Sequence, residues 1–258
     1  MAFGLIIIGD EILSGKRSDK HLPKVIELLA ERGLQLAWTE IVGDDPARIT
    51  QVLKRTLAGP DIVFSSGGIG ATPDDHTRQC AAAALGVPLE LHPEGKLLVQ
   101  ERIRETAGRD VDLDAPENLQ RLKMAEFPQG ASLIPNPYNR IPGFTIGRHH
   151  FVPGFPVMAW PMIAWVLDTH YVDLFHRQAH AERALLVYEQ AEATLTPLME
   201  QLEARYPGVR VFSLPSVGDE RTRRHIELGA KGEPGQVAAA FADMCVELDR
   251  LGAEYRPL

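Results

Sequence analysis

Cysteine is nearly absent from this chain: Cys80 and Cys245 are the two in 258 residues. Both fall in segments of helical pattern, far apart and without a CxxC or histidine-spaced partner, which excludes a disulfide framework and a zinc site. They read as reduced core thiols. Long apolar runs are missing too. The amino-terminal MAFGLIIIGDE has no basic residues ahead of a short apolar stretch, so neither export nor a membrane span is expected, and a cytoplasmic location follows. Positive charge is in deficit, with 27 Lys and Arg against 35 Asp and Glu and a net charge of −8, which argues against a nucleic-acid partner. Neither an internal repeat nor a low-complexity tract occurs.

At 45% hydrophobic and 24% charged residues, the chain has the composition of a globular protein with one sizeable domain and a smaller one. Strand and helix signals alternate: a strand at Phe3 to Ile8, a helix at Leu22 to Arg32, a strand at Gln35 to Ile41 and a helix at Pro46 to Leu57. Next come a strand at Asp61 to Phe64, a helix at Pro73 to Leu85, a strand near Val87 to Leu91 and a helix at Pro93 to Thr106. This order predicts an α/β fold with a doubly wound, mostly parallel sheet. Beyond Gly108 the spacing predicts a helix at Pro116 to Met124 and short β segments at Ser132 to Ile134, Phe144 to Ile146 and His150 to Val152. A proline-rich turn at Pro153 to Pro156 then leads to a helix through Ala164.

The domain boundary is expected between residues 178 and 179. A βαββα unit follows: Ala184 to Tyr188, Glu192 to Arg205, Val209 to Leu214, His225 to Leu228 and Gln236 to Leu251. It predicts a small α+β domain. Arg221, Arg223 and Arg224 fall between two of its strands and read as a solvated charge cluster.

The chemistry is concentrated in DIVFSSGGIGATPDDHT, from Asp61 to Thr77. A buried strand runs into a glycine turn at Gly67, Gly68 and Gly70, and a helix reopens with Thr72 as N-cap and Pro73 as its first residue. Strand, glycine turn and helix N-terminus together make an anion site, with Ser66 at its entry. Asp74 and Asp75 fall in the first helical turn, where Asp75 can complete a capping box with Thr72. They can also serve the site. A carboxylate about 5 Å from a phosphate charge is repelled by roughly 3 kcal/mol at an effective dielectric near 20, against about 1 kcal/mol returned by a helix N-terminus. A phosphate here therefore calls for a cation, most economically a divalent metal bridging carboxylate and phosphate oxygens.

Acids recur in three turns at the carboxyl ends of successive strands: Asp10 and Glu11, Asp44 and Asp45, Asp74 and Asp75. Ligands of open parallel sheets bind outside that edge, so the three turns can converge on one crevice. Asp10, Glu11, Asp44, Asp74 and Asp75 are the candidate metal ligands. Asp45, Asp74 and Asp75 are the candidate catalytic acids, although Asp45 before Pro46 equally makes a helix N-cap. Gly9 and Gly15 bracket Asp10 and Glu11 in a loop that no capping or turn rule accounts for, which groups Gly9 with the ligand-binding candidates. Asp19 can cap its helix or join the site, and His21 and His76 read as structural or exposed rather than as bases.

GDEILSG at Gly9 to Gly15, GDD at Gly43 to Asp45 and SSGGIGATPDDHT at Ser65 to Thr77 resemble the molybdopterin-binding MoaB/Mog superfamily. The nearest resemblance is to the amino-terminal domain of the competence/damage-inducible CinA family. It continues through FPQGASLIPN, PGF at Pro142 and VPGFP at Val152 to Pro156, and the region from Ala184 resembles that family's small KH-like domain.

The resemblance implies binding of molybdopterin or an adenine nucleotide. It also implies divalent-metal-dependent (Mg, Co or Ni) pyrophosphatase chemistry on the phosphoanhydride of ADP-ribose or flavin adenine dinucleotide; a non-catalytic binding module is the alternative. It places the phosphate pocket on Ser66, Gly67, Gly68, Gly70 and Thr72, and the acidic positions on Asp10, Glu11, Asp44, Asp45, Asp74 and Asp75. A homo-oligomer with a small phosphate-containing ligand is implied as well. Two positions depart from the pattern: His21 stands where asparagine is usual, and Val157, Met158 and Ala159 stand where a glutamate is usual. The carboxyl-terminal amidohydrolase domain of full-length CinA proteins is not in the sequence, so no amide hydrolysis is expected.

Overall fold

Strand β1 (Phe3–Ile8) is buried along its whole length because both of its faces are covered. Successive side chains of a strand point to opposite sides. Leu5 and Ile7 join Val25, Leu29, Met162, Ile163 and Val166 in one core, while Ile6 and Ile8 join Ile49, Leu53, Val63 and Ala81 in another. That two-sided burial explains why β1 and β3 read as continuous apolar runs rather than as alternating ones.

The computed structural model describes residues 2–108, 110–177, 181–219 and 221–258. It divides into two compact units, Met1–Phe175 and His176–Leu258. The boundary expected between residues 178 and 179 lies outside the described residues.

In the first unit β1 is followed by α1 (Asp10–Leu13), α2 (His21–Ala30), β2 (Leu36–Val42), α3 (Pro46–Leu57), β3 (Ile62–Ser66) and α4 (Thr77–Leu85). Then come β4 (Leu89–Leu91), α5 (Pro93–Ala107), α6 (Pro116–Leu122), β5 (Glu126–Pro128), β6 (Ser132–Ile134), β7 (Gly143–Ile146), β8 (His149–Val152) and α7 (Pro156–His170). The six-stranded sheet has the order β2-β1-β3-β8-β7-β6. Its β2, β1, β3 and β8 are parallel, and β7 runs antiparallel between β8 and β6. The first core lies under α2 and α7, and the second under α3 and α4. This is the expected α/β class with a mostly parallel, doubly wound sheet.

Several expectations need correction. The segment near Val87 to Leu91 does not join the main sheet; β4 pairs with β5 in a separate antiparallel ribbon, and β8 takes the place beside β3. Helix α7 runs six residues past Ala164, because Val166 and Leu167 continue its buried stripe.

Helix α4 begins at Thr77, not at Pro73. The Asp75 carboxylate accepts from the Thr72 N–H at 2.9 Å and from its hydroxyl at 2.5 Å, while the Asp75 N–H donates to the Thr72 carbonyl at 3.0 Å. Thr77 in turn donates its N–H to Gly68 and its hydroxyl to Gly67. These local bonds close residues 67–76 into a loop before the helix starts, so Asp74 and Asp75 precede α4 rather than occupying its first turn.

The second unit contains β9 (Ala181–Tyr188), α8 (Glu192–Arg205), β10 (Val209–Ser216), β11 (His225–Gly232), α9 (Pro234–Arg250) and β12 (Tyr255–Pro257). Its antiparallel sheet has the order β10-β11-β9-β12. The expected βαββα pattern thus gains a final strand, which pairs with β9. Leu185, Val187, Leu228, Ala240 and Met244 form its own core. Arg223 of the expected charge cluster forks onto Glu254 at 2.8 and 2.9 Å and stacks over Tyr188.

Candidate functional site

Strands β1, β2, β3 and β8 end side by side at one edge of the first unit's sheet, and the turns that follow them build the site. Gly9 donates its N–H to Val42 at 3.0 Å, which ties the turn after β1 to the end of β2. Beyond it, the Asp10 N–H donates to an Asp44 carboxylate oxygen at 2.9 Å and the Asp44 N–H donates to Asp10 Oδ1 at 3.1 Å. Gly43 permits this exchange, since a methyl group there would overlap the Asp10 carboxylate.

Negative charge is crowded at this point. Burial raises the Asp44 carboxyl above the usual carboxylate value, and the charges of Asp10, Glu11 and Asp74 push the same way against the lowering effect of the Asp10 N–H. These four acids form the acidic rim. The other two are engaged elsewhere. Asp45 caps α3 by accepting from the Arg48 N–H at 2.8 Å, and Asp75 holds the Thr72 turn.

The glycine turn serves packing as much as ligand approach. Gly67 has φ 106°, gives its N–H to Val152, and sits so close to β1 that a methyl group would overlap the Ile8 carbonyl. Gly68 packs on the Thr77 hydroxyl and Gly70 on the Asp75 carboxylate. The N–H groups of Gly68 and Gly70 find no acceptor among the described residues. Arg78 supports the loop from beneath: it is buried, and donates to the Gly70 carbonyl at 2.5 Å and to the Glu126 carbonyl at 3.5 Å.

Beside the rim lies a hollow of about 410 Å³, within the range of small-molecule sites. Its walls include Ile7, Ile8, Glu11, Ser66, Gly154 and Phe155. Arg17, Ser18, Lys20 and His21 line it as well. Of the expected site residues, therefore, Glu11 and Ser66 face this hollow. Ser66 donates its hydroxyl to the Pro153 carbonyl at 3.2 Å. Gly9 packs against the Glu11 carboxylate, and Thr72 is spent on Asp75.

Arg17, Ser18 and Lys20 were not among the expected site residues. Arg17 and Lys20 are exposed, and no carboxylate pairs with either among the described residues. They alter the electrostatic expectation, because the protein itself supplies positive charge to an incoming phosphate. The signal was available: KRSDKH at Lys16 to His21 follows the same strand end that places Asp10 and Glu11.

A divalent ion suits the rim chemically, since the donors are carboxylates and their crowding is what a cation relieves. Among the described residues no three His, Cys, Asp or Glu side chains gather closely enough to encage an ion. An ion of the magnesium kind needs one or two carboxylates and completes its shell with waters and phosphate oxygens. Asp10, Glu11, Asp44 and Asp74 fit that shared arrangement, Asp10 and Asp44 each spending one carboxylate oxygen on the other's N–H within the rim; Asp45 and Asp75 spend theirs on backbone groups of their own turns, away from it.

Residues 4–171 match the family model described as "Probable molybdopterin binding domain". A CinA-like protein of Anaeromyxobacter dehalogenans (strain 2CP-1) is 38% identical over 161 residues, which is 61% of this chain and 38% of that one. A CinA-like protein of Anaeromyxobacter sp. (strain Fw109-5) is 32% identical over 96% of this chain and 62% of its own length. The chain thus spans between 38% and 62% of the length of these two curated relatives. Among solved structures, the protein CinA with unknown function from Thermoplasma acidophilum superposes with a TM-score of 0.56 and 26% identity, covering 65% of this chain and 98% of that one. Among the described residues no helix is long and apolar enough to cross a membrane.

Proposed function

Since the chain belongs to the family of probable molybdopterin binding domains, we propose that its first unit binds a phosphate-bearing small molecule, a molybdopterin or an adenine nucleotide. We further propose that it cleaves a phosphoanhydride of the ADP-ribose or flavin adenine dinucleotide class. One observation carries this reading: a hollow lined by Arg17, Lys20, Ser18 and Ser66 opens beside a rim of crowded carboxylates. Cations and hydroxyls on one side bind phosphate oxygens, and the acids on the other stand ready for a divalent ion.

In this reading Arg17 and Lys20 attract and orient the phosphates and the Ser18 hydroxyl donates to their oxygens, while Ser66, whose hydroxyl is given to Pro153, shapes the wall. The free Gly68 and Gly70 N–H groups are donors for negative charge that grows on the phosphoryl group. One or two of Asp10, Glu11, Asp44 and Asp74 would hold magnesium, cobalt or nickel, which when bound supplies Lewis-acid polarisation of a phosphoryl oxygen. Asp74, exposed and without a helix to cap, is the acid best placed to orient water. A net charge of −8 disfavours a nucleic-acid or anionic-membrane partner; a small phosphate-bearing ligand is the proposed partner, and a homo-oligomer is proposed from the family resemblance rather than from charge. The antiparallel second unit is offered as the KH-like companion domain.

The second reading, a binding module without turnover, is favoured by the engagement of Asp45 and Asp75 with backbone groups. One experiment separates the two. ADP-ribose or flavin adenine dinucleotide is incubated with the protein and magnesium, cobalt or nickel, and mononucleotide release is followed. Release that disappears with chelator and falls at least tenfold in Asp44→Asn and in Arg17→Ala supports the enzyme. Tight, chelator-insensitive binding without release supports the module, and absence of both binding and release defeats the whole proposal.

A further inference from the structure

One side chain that lines the hollow has an unmet requirement. His21 is 5% exposed and lines the cavity. Its N–H and that of Leu22 donate to the two carboxylate oxygens of Asp19, each at 2.9 Å, and its Nε2 lies 3.0 Å from the Gly154 carbonyl. A carbonyl oxygen only accepts, so Nε2 carries the hydrogen. In the neutral ring that leaves Nδ1 with a lone pair and no hydrogen. Nδ1 is buried and finds no partner among the described residues. Buried polar atoms are nearly always satisfied, and an exception calls for a reason.

Resting on the function proposed above, we infer that His21 is a specificity-determining residue whose Nδ1 accepts a hydrogen bond from a ribose hydroxyl of the bound ligand. A phosphate oxygen ionised at neutral pH carries no hydrogen and cannot satisfy the lone pair of the neutral ring; only an imidazolium would donate from Nδ1 to it, and an Nδ1 resonance that moves with pyrophosphate would overturn the ribose assignment. The ligand's neutral part must do so. Arg17 and Lys20 in the same wall suit its anionic part, and Phe155, 55% exposed and also lining the hollow, offers a ring face to a planar base. A sugar joining phosphate to base carries the donor that the cavity lacks. The site therefore selects ribonucleotides over inorganic pyrophosphate. A pterin ring N–H is the same donor chemistry from another source, and the test tells the two apart.

The test is a double-mutant cycle on ADP in the presence of magnesium, using the full chain. The pair is His21→Gln against 2′,3′-dideoxy-ADP. Glutamine keeps a donor near the Nε2 position for Gly154 but has no acceptor at Nδ1, whereas His21→Asn keeps an acceptor there. Expected are an about tenfold rise in Kd for His21→Gln with ADP, a similar rise for the wild type with the dideoxy analogue, and no further rise when both are combined. His21→Asn should stay within about threefold of wild type. In wild-type protein labelled with ¹⁵N in histidine, the Nδ1 resonance of His21 should move on adding ADP and not on adding pyrophosphate, a readout that holds even if a variant fails to fold.

Wild-type binding of ADP with additive losses, or with none in His21→Gln, overturns this inference and leaves the proposed function standing. Affinity for a tetrahydropterin that depends on His21, with indifference to the ribose hydroxyls, overturns the ribose assignment. Failure of the wild type to bind ADP, ADP-ribose or a pterin overturns both.

Discussion

Asp10 and Asp44, thirty-four residues apart, each accept the other's backbone N–H, at 3.1 and 2.9 Å. Two turns that follow neighbouring strands are thereby locked to each other through carboxylates. The same contact crowds negative charge, because Glu11 and Asp74 stand close enough to raise Asp44 further.

The first prediction concerns that charge. The folded Asp44 carboxyl titrates above its ordinary value of 3.8, so the fold binds this proton more tightly than the unfolded chain does. Its favourable share of stability is complete below 3.8 and lost as pH rises through the raised value. Asp44→Asn keeps an acceptor for the Asp10 N–H and removes the charge. Urea unfolding should show the variant gaining on wild type between pH 3 and neutrality, and magnesium should raise the wild-type melting temperature more than the variant's. A stability difference that ignores pH would contradict the crowding.

Gly67→Ala should destabilise the first unit by roughly 2–4 kcal/mol, combining a strained positive φ with overlap on a backbone carbonyl that cannot move aside. Denaturant unfolding of the variant measures this. A loss below about 0.5 kcal/mol would mean that the turn adapts more easily than its close approach to Ile8 implies.

Asp45→Ala should cost about 1 kcal/mol, the typical worth of a helix N-cap, and Asp45→Ser should recover most of it. Ligand affinity should be unchanged in both. If turnover collapses in Asp45→Ser while stability is retained, Asp45 acts on the ligand and not only on α3.

Acid should weaken the fold through two histidines. Burial pushes His149 down to about 4 and His150 down to about 3, from 6.5. Depressed folded values mean that this stability is present above pH 6.5 and is lost as pH falls toward those lower values. His149→Gln can preserve the bond to the Thr56 hydroxyl, 2.9 Å away. It should flatten the decline in unfolding free energy between pH 6.5 and 4. An unchanged slope would locate the acid sensitivity elsewhere.

Much of this architecture was legible in the chain because backbone periodicity and turn chemistry are local. The apolar run of β1, the Asp45-Pro46 start of α3 and the strand that feeds the glycine turn all lie where their residues place them. Local rules misjudged α4. Thr72 and Pro73 satisfy the capping pattern, yet Thr77 finds better partners in the carbonyls of Gly67 and Gly68, which the preceding strand brings within reach. They likewise could not show that β4 would leave the sheet, since β5, its partner, lies some 35 residues downstream.

By itself, the sequence determined the element order, the glycine turn and the recurrence of acids after three strands, since each depends on a few adjacent residues. Only tertiary structure decided which acids meet. Asp10 and Asp44 clasp each other, whereas Asp45 and Asp75 turn to nearby backbone. It also brought Arg17, Lys20 and His21, whose buried Nδ1 is unpaired among the described residues, to one hollow with Gly154 and Phe155. The reason is physical: a carboxylate or an imidazole takes whichever partner the fold brings within about 3 Å, and long-range packing alone chooses that partner.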